Sequence, residues 1–417
     1  MEWRRWTWLL MLPLFAGCVV NGMAPEPEES GESAPELQAD RLVIINDPAQ
    51  LDTRVQYDSR PLFIRMKETP GREIAPPLKA GMTLTLVGEV ESPAVEGLVV
   101  QANDIDIKGK TAVVAYNYAG EVFAGAVHVV DFTTPERPRL VSELLYRNAD
   151  VTAVLAHGQN VYVGLGSPDP ALQTPALLEE FKLTGAGLQP TGRWIDLPSW
   201  VVTDLSTQGP YVVASVGARE GGVAFVDRTF AQFQLDAFVA EEDIRGIGFP
   251  SITQLAAVCG TRPRMALMHV EGRTMMGAHA VDGYNNPEAK GTIEVHNGLC
   301  FLGAGDGGFQ VRRADGELLA ALRHEDFSDL RPDLMVTNAV SLSGNLAFVA
   351  AGALGVQVVD VVGMRGWALG GGHNPEGLRV LGELEFDDGV SSNMVKSENN
   401  VMVVAGGLGG IKLVTMD

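Results

Sequence analysis

Seven residues stand at one recurring position and could line a ligand site: Asn103, Thr152, Thr203, Arg245, Gly291, Asn338 and Asn393, each six residues before a turn. Asp104 and Asp204 directly follow two of them. Amide and carboxylate oxygens are the donors that a hard cation such as Ca2+ takes. Asn103, Asn338, Asn393 and Asp104 are therefore the candidate metal ligands, with Asp204 beside them. A cation held there could activate water for a metal-dependent hydrolase or lactonase. The same residues would equally suit a polar, water-filled channel without metal. Arg245 opposes a central cation, and no position in the set is itself an acid.

Other chemistry has weaker sequence support. The seven histidines show no HExxH or similar metal spacing. "GDGG" (305 to 308) and "ALGGGHNPEG" (368 to 377) are glycine-rich, yet neither leads from a strand into a helix as a phosphate loop requires. No GxSxG elbow is present, and no nucleophile has a visible base. Met275 and Met276 are expected to fill a strand core. Cys259 and Cys300 fall in equivalent strands at positions of opposite parity, which predicts two buried thiols on opposite sheet faces and no disulfide.

The elements that would position the recurring set are short strands. Past residue 82 the chain is a series of apolar runs separated by Gly, Asn, Asp and Pro, with no long amphipathic helix. One run begins near residues 111, 160, 211, 255, 299, 346 and 401, a spacing of 44 to 55 that matches a four-stranded propeller blade. Each copy follows an alternating strand and precedes a third, and most units add a fourth. The last copy, ending "GGIKLVTMD", has only three strands. Its fourth is "LTLVGEVES" (84 to 92), which matches "RVLGELEFD" (379 to 387) closely and precedes the first blade. The predicted fold is all-β: a seven-bladed β-propeller over 83 to 417, closed by pairing strand 84 to 92 with the three C-terminal strands. Closure removes the two unpaired edges that an open ring would leave.

Third strands ending in "VHVVD" (127 to 131), "VAFVD" (223 to 227) and "VQVVD" (356 to 360), with "TTPERPRLV" after the first, resemble the LVIVD-repeat family of bacterial cell-surface propellers. The resemblance covers most of residues 84 to 417 and is clearest in blades one, three and six. It implies a fold more than an activity. Asp131, Asp227 and Asp360 are expected to be turn residues that bind nearby backbone.

The first residues are a targeting signal to be set apart from the fold. Arg4 and Arg5 precede the apolar "WTWLLMLPLF", and "LFAGC" resembles a bacterial lipobox. This implies a signal peptide over 1 to 17, a lipidated Cys18, and membrane attachment through acyl chains. Val19, where an Asp would imply inner-membrane retention by similarity to enterobacterial lipoproteins, favours the outer membrane. Residues 18 to 40, rich in Pro, Glu and Ser, are expected to form a disordered tether. Residues 41 to 82 fit no blade and are expected to pack outside the ring or over one mouth. With 52 acids against 31 bases the net charge is −21, which disfavours nucleic acid as a partner. "EED" (241 to 243), "HEDFSD" (324 to 329) and "DD" (387 to 388) would make one propeller face acidic. The combined expectation is a lipid-anchored envelope protein whose propeller binds a protein or glycan through that face, with the metal-dependent hydrolase as the alternative.

Overall fold

The computed structural model describes residues 36–62, 83–217, 219–283, 289–323, 334–362, 378–384, 386 and 391–417. Within them the strands form seven antiparallel blade sheets, each built on four strands of one blade, and one two-stranded hairpin, Ala94–Val95 with Leu98–Val99. The innermost strands, in ring order, are Gln101–Lys108, Asp150–His157, Val202–Gln208, Ile244–Ser251, Gly291–His296, Ala339–Ser343 and Met394–Glu398. Each contacts the next, and the last contacts the first, so the ring is closed.

Turn chemistry defines the blades. The hairpin from inner to second strand in blade five is Asn297-Gly298, with φ of 52° and 74°. Blade seven uses Asn399-Asn400, with φ of 51° and 61°. Positive φ at both central residues is the type I′ geometry whose twist matches the flanking strands. At the next hairpin, Asp131 Oδ1 accepts from Thr133 N at 2.8 Å, Asp227 Oδ1 from Thr229 N at 2.8 Å, and Asp360 Oδ1 from Val362 N at 2.8 Å. The aspartates of the three clearest repeats are thus turn residues, as their sequence context predicts.

The core lies between blades. In blade three, Val212, Ala214 and Val216 pack towards blade two, while Val213 packs towards blade four. A strand buried on both faces reads as an unbroken apolar run, which is why the second strands were the legible repeat. Adjacent blades meet closely. A Cβ on Gly303 would sit 2.8 Å from the Asn338 carbonyl oxygen of blade six.

Closure occurs as the strand match predicts. Leu84–Val90 pairs with Ile411–Met416, from Leu84 opposite Met416 to Val90 opposite Ile411. The largest apolar cluster joins this composite blade to blades six and one, through Leu86, Val404, Phe348 and Val114.

The segment before the first blade crosses this seam. Leu42–Ile45 adds a fifth strand to the outer edge of blade one, and Val55–Leu62 adds a fifth to blade seven. Between them the short helix Pro48–Leu51, capped by Asp47, buries Leu51 in the closure cluster. Two arginines fix this strap. Arg41 forms a bidentate pair with Glu179 of blade two, both nearly buried, with one contact at 3.1 Å. Arg54 binds Glu143 of blade one at 3.2 Å, and Glu143 also holds His128 at 3.0 Å. Residues 63 to 82, the remainder of that segment, lie outside the described residues.

Two expectations about side-chain direction are corrected. Both cysteines are free and buried, but they do not point oppositely: each faces the preceding blade. Aligning the second strands on their terminal glycines, Gly260 and Gly303, restores the shared parity. Cys259 lies against blade three and Cys300 against blade four, so the sheet of blade four separates them. Burial pushes both thiols up to about 12, which keeps them protonated. Met275 and Met276 do not fill a core. They lie on the outer strand of blade four and are 37% and 59% exposed.

The Arg41–Glu179 pair yields a test. Removing one partner of a buried ion pair leaves the other charge uncompensated, at about 3–5 kcal/mol. Arg41→Ala is expected to lower unfolding free energy by about that amount in denaturant titration. Arg41→Met combined with Glu179→Leu should recover most of the loss.

Candidate functional site at the central channel

Each inner strand has one edge with no neighbouring strand, and it faces the ring axis. Its N–H and C=O groups still need partners. The recurring polar residues supply many of them. Asn103 Nδ2 donates to Val151 O of blade two at 2.9 Å, Thr152 Oγ1 to Val202 O of blade three at 2.5 Å, and Thr203 Oγ1 to Ile244 O of blade four at 2.8 Å. Arg245 Nη1 donates to Ala289 O at 2.7 Å, Asn338 Nδ2 to Ser392 O at 3.2 Å, and Asn393 Nδ2 to Ala102 O at 3.1 Å. In blade five the donor is Thr292, to Asn338 O at 3.1 Å, since Gly291 has no side chain to offer. Every blade is hydrogen-bonded to the next around the ring.

These side chains therefore point sideways, not towards a common centre. The cause is local. Pairing shifts register at 102/104, 151/153, 202/204 and 244/246, so Asn103, Thr152, Thr203 and Arg245 are bulge residues. A bulge re-aims the side chain that a regular strand would present. The channel is lined instead by residues one and three places further on.

Those positions hold a charged network. Asp104 Oδ2 accepts from Val154 N at 3.0 Å, Asp106 Oδ2 from Ala156 N at 2.8 Å and Asp204 Oδ2 from Ile247 N at 2.8 Å, each on the following blade. Glu294 Oε1 accepts from Leu342 N at 3.2 Å, and Ser341 Oγ from Ser397 N at 3.0 Å. Two lysines cross between non-adjacent blades. Lys290 of blade five reaches the Asn103 carbonyl oxygen and, at 3.1 Å, Asp104 Oδ1 of blade one. Lys396 of blade seven reaches Glu294 Oε2 of blade five at 2.8 Å.

Burial among like charges moves the proton affinities. Asp204 is raised to about 7 by burial, with the Asp104 carboxylate adding to the effect. Asp106 is raised to about 6 by burial, partly opposed by Lys396 and the Ala156 N–H. Burial alone would lower Lys396, but Glu294, Asp106 and Asp204 outweigh it and hold the ammonium above the ordinary lysine value.

Most of this donor set is already engaged, although Asn103 Oδ1 is buried without a hydrogen-bond partner. The Asn338 amide is engaged at both ends, accepting from Lys290 N at 3.2 Å while donating to Ser392. Asn393 Oδ1 accepts from Ser391, and both Asp104 oxygens are engaged, one by a lysine ammonium. Among the described residues, no three His, Cys, Asp or Glu side chains converge as a metal site. The ligand set read from the sequence largely joins the blades, and the Lys290 ammonium is bound to Asp104. Asp106, Lys290, Thr292, Glu294 and Lys396 were missed. Counting three places beyond the recurring position would have found Asp106, Glu294 and Lys396; Lys290 has no such signal.

Two further clusters resemble sites in composition. Tyr116 OH meets His128 Nδ1 at 2.9 Å, and His128 Nε2 meets Glu143 at 3.0 Å. With the proton on Nε2 both contacts are satisfied, and burial lowers the His128 pKa. All three side chains are fully buried, so no substrate reaches them. On the face that carries the outer-to-inner connections, a cleft between blades three and four is lined by Pro198, Arg219, Phe238 and the "EED" acids 241 and 242. These acids do not make an acidic patch. Glu241 pairs with Arg264, Glu242 with Arg262 at 2.7 Å, and Asp243 with Arg245 at 3.4 Å. Residues 324 to 329 and 387 to 388, the other acidic stretches, lie outside the described residues.

No family model matches the chain, and no curated protein matches it. Among solved structures, the computationally designed Ika8 protein aligns over 86% of this chain and 97% of its own, with a TM-score of 0.47 and 14% identity.

The raised Asp204 gives a signed pH dependence. The folded state keeps this proton up to about pH 7, whereas an unfolded aspartate releases it near 3.8. Between those values the native state binds the extra proton, so this group makes stability fall as pH rises. Asp204→Asn removes the titration while retaining an acceptor for Ile247 N. The melting temperature of the parent minus that of Asp204→Asn is expected to decrease from about pH 4 to about pH 7 and level off above. A flat difference in thermal melts would refute the assignment.

Proposed function

We propose that the chain is a lipid-anchored envelope protein of LVIVD-repeat type whose propeller works by binding a protein or glycan, without chemistry of its own. The observation that carries this reading is the commitment of the channel groups. The amides of the recurring set hold the next blade, and the carboxylates hold strand N–H groups and lysines. The loop faces are left as the surfaces on which a ligand can dock. The face with the outer-to-inner connections is the better candidate, since its loops expose Trp200 at 64%, Leu408 at 62% and Val122 at 55%. An aromatic ring among charged side chains suits either a peptide or a sugar face. "LFAGC" and the spacer after it support attachment to the outer membrane through Cys18. No helix among the described residues is long and apolar enough to cross a membrane.

Two measurements test this. Cys18→Ala is expected to move the protein from the membrane fraction to the soluble fraction, and cross-linking of the tethered parent in native membranes is expected to recover a defined partner. Recovery of none would overturn the binding reading. A chelator is expected to leave the melting temperature unchanged. A chelator-sensitive melt, restored by Ca2+, would return the hydrolase alternative to first place.

A further inference from the structure

The cleft between blades three and four brings together polar groups without partners, an apolar wall and an exposed aromatic residue. Its volume is about 520 Å³, inside the range of about 300–1,000 Å³ usual for small-ligand sites. Six of the ten residues that line it are charged, three arginines and three glutamates, so the cleft is electrically balanced on a chain of net charge −21. Two of its ion pairs are closed on themselves, Glu241 with Arg264 and Glu242 with Arg262. Arg219 and Glu220, adjacent in the chain and both exposed, have no hydrogen bond or ion pair with any described residue. They leave a planar guanidinium donor and a carboxylate acceptor side by side at the cleft wall. Pro198 and Phe238 supply the apolar part of that wall.

The aromatic residue is placed by a fixed connection. Trp200 follows Pro198 by two residues, and Ser199 between them has a φ of 113°, a conformation that residues other than glycine rarely adopt. Ser199 is held there at both ends: its Oγ donates to the Gly217 carbonyl oxygen, and its own carbonyl accepts from Ala176 N at 3.3 Å. On the other side of Trp200, Val201 O accepts from Gly217 N at 3.0 Å. Both neighbours of Trp200 are therefore tied down while its side chain stands in solvent. Gly217 lies two residues before Arg219, so the same contacts set Trp200 at the edge of the cleft. A large aromatic residue whose backbone is already ordered is suited to anchor a ligand.

We propose that this cleft binds a short neutral oligosaccharide, with one sugar ring stacked on Trp200 and neighbouring hydroxyls bridging Arg219 and Glu220. The inference rests on the binding reading above and narrows it to a ligand class. The charge pattern selects that class. An ion of either sign is attracted by one member of the Arg219 and Glu220 pair and repelled by the other, whereas a hydroxyl accepts from the guanidinium and donates to the carboxylate. The two planar forks match pairs of adjacent hydroxyls. A peptide that laid apolar side chains over the charged lining would strip those groups of water without replacing their hydrogen bonds. A sugar ring instead offers a polar edge to the cleft and an apolar C–H face to the indole. Being uncharged, it meets no repulsion from the net charge of the chain.

Screening the full-length chain against an array of neutral and charged oligosaccharides and short peptides tests this, with affinities for the hits measured by titration calorimetry. The expected result is binding of neutral oligosaccharides with a dissociation constant that changes less than about twofold between low and high salt, since screening acts on charged ligands. Trp200→Ala, and Arg219→Ala combined with Glu220→Ala, are each expected to weaken binding at least about tenfold. Their melting temperatures should match the parent, because all three side chains are exposed. Glu220→Gln keeps an acceptor and is expected to retain most of the affinity. Failure to bind any neutral oligosaccharide, or binding that the alanine variants leave intact, overturns the proposal. Binding confined to charged saccharides or peptides, and weakened by salt, overturns it in favour of an ionic ligand. If no saccharide binds while cross-linking in native membranes still recovers a protein partner, this inference fails and the binding reading stands.

Discussion

The constraint on which the structure depends is the unpaired inner edge of each sheet. Seven edges converge on one axis, and no further strand among the described residues pairs with them. An orphaned buried N–H or C=O costs about 1–3 kcal/mol. Seven junctions left unsatisfied would consume a stability of about 5–15 kcal/mol. The molecule meets the demand with side chains reaching from one blade to the next. Donors such as Asn103 and Asn393 serve carbonyls, and acceptors such as Asp104 and Glu294 serve N–H groups. Polar residues that could be mistaken for a binding ring are the joints of the ring itself.

Satisfying the edges with carboxylates creates a second requirement, because several acids then share a narrow space. Lys290 and Lys396 answer part of it by crossing between non-adjacent blades. Asp204 answers another part by retaining a proton to about pH 7. Hydrogen bonding, charge balance and proton affinity in the channel are thus one linked problem.

The architecture was legible because it rests on local signals. Second strands buried on both faces read as apolar runs, aspartates cap the third-strand turns, and "LTLVGEVES" repeats the pattern of a fourth strand. The candidate site was legible in residue type but not in direction. One extra residue at Asn103, Thr152, Thr203 and Arg245 reverses the parity on which a channel-facing assignment depends, and a bulge has no obligatory residue type. A similar one-residue offset misdirected the cysteines. The reach of Lys290 to blade one, and the neutralisation of Glu241 and Glu242 by Arg264 and Arg262, depend on long side chains meeting in space. Met275 and Met276 look like core residues by type, and only the missing cover over blade four shows otherwise.

The strap over the closure seam has a mechanical meaning. A pull applied to the chain just before residue 41 does not reach the strand that completes blade seven. It is taken first by the Arg41–Glu179 pair in blade two, then by Leu42–Ile45 along the edge of blade one. Force along a paired strand must break its hydrogen bonds together, in shear, whereas a pull across the edge would peel them one at a time. A molecule held at that end would resist tension where its ring is continuous and shield the seam where its two chain ends meet.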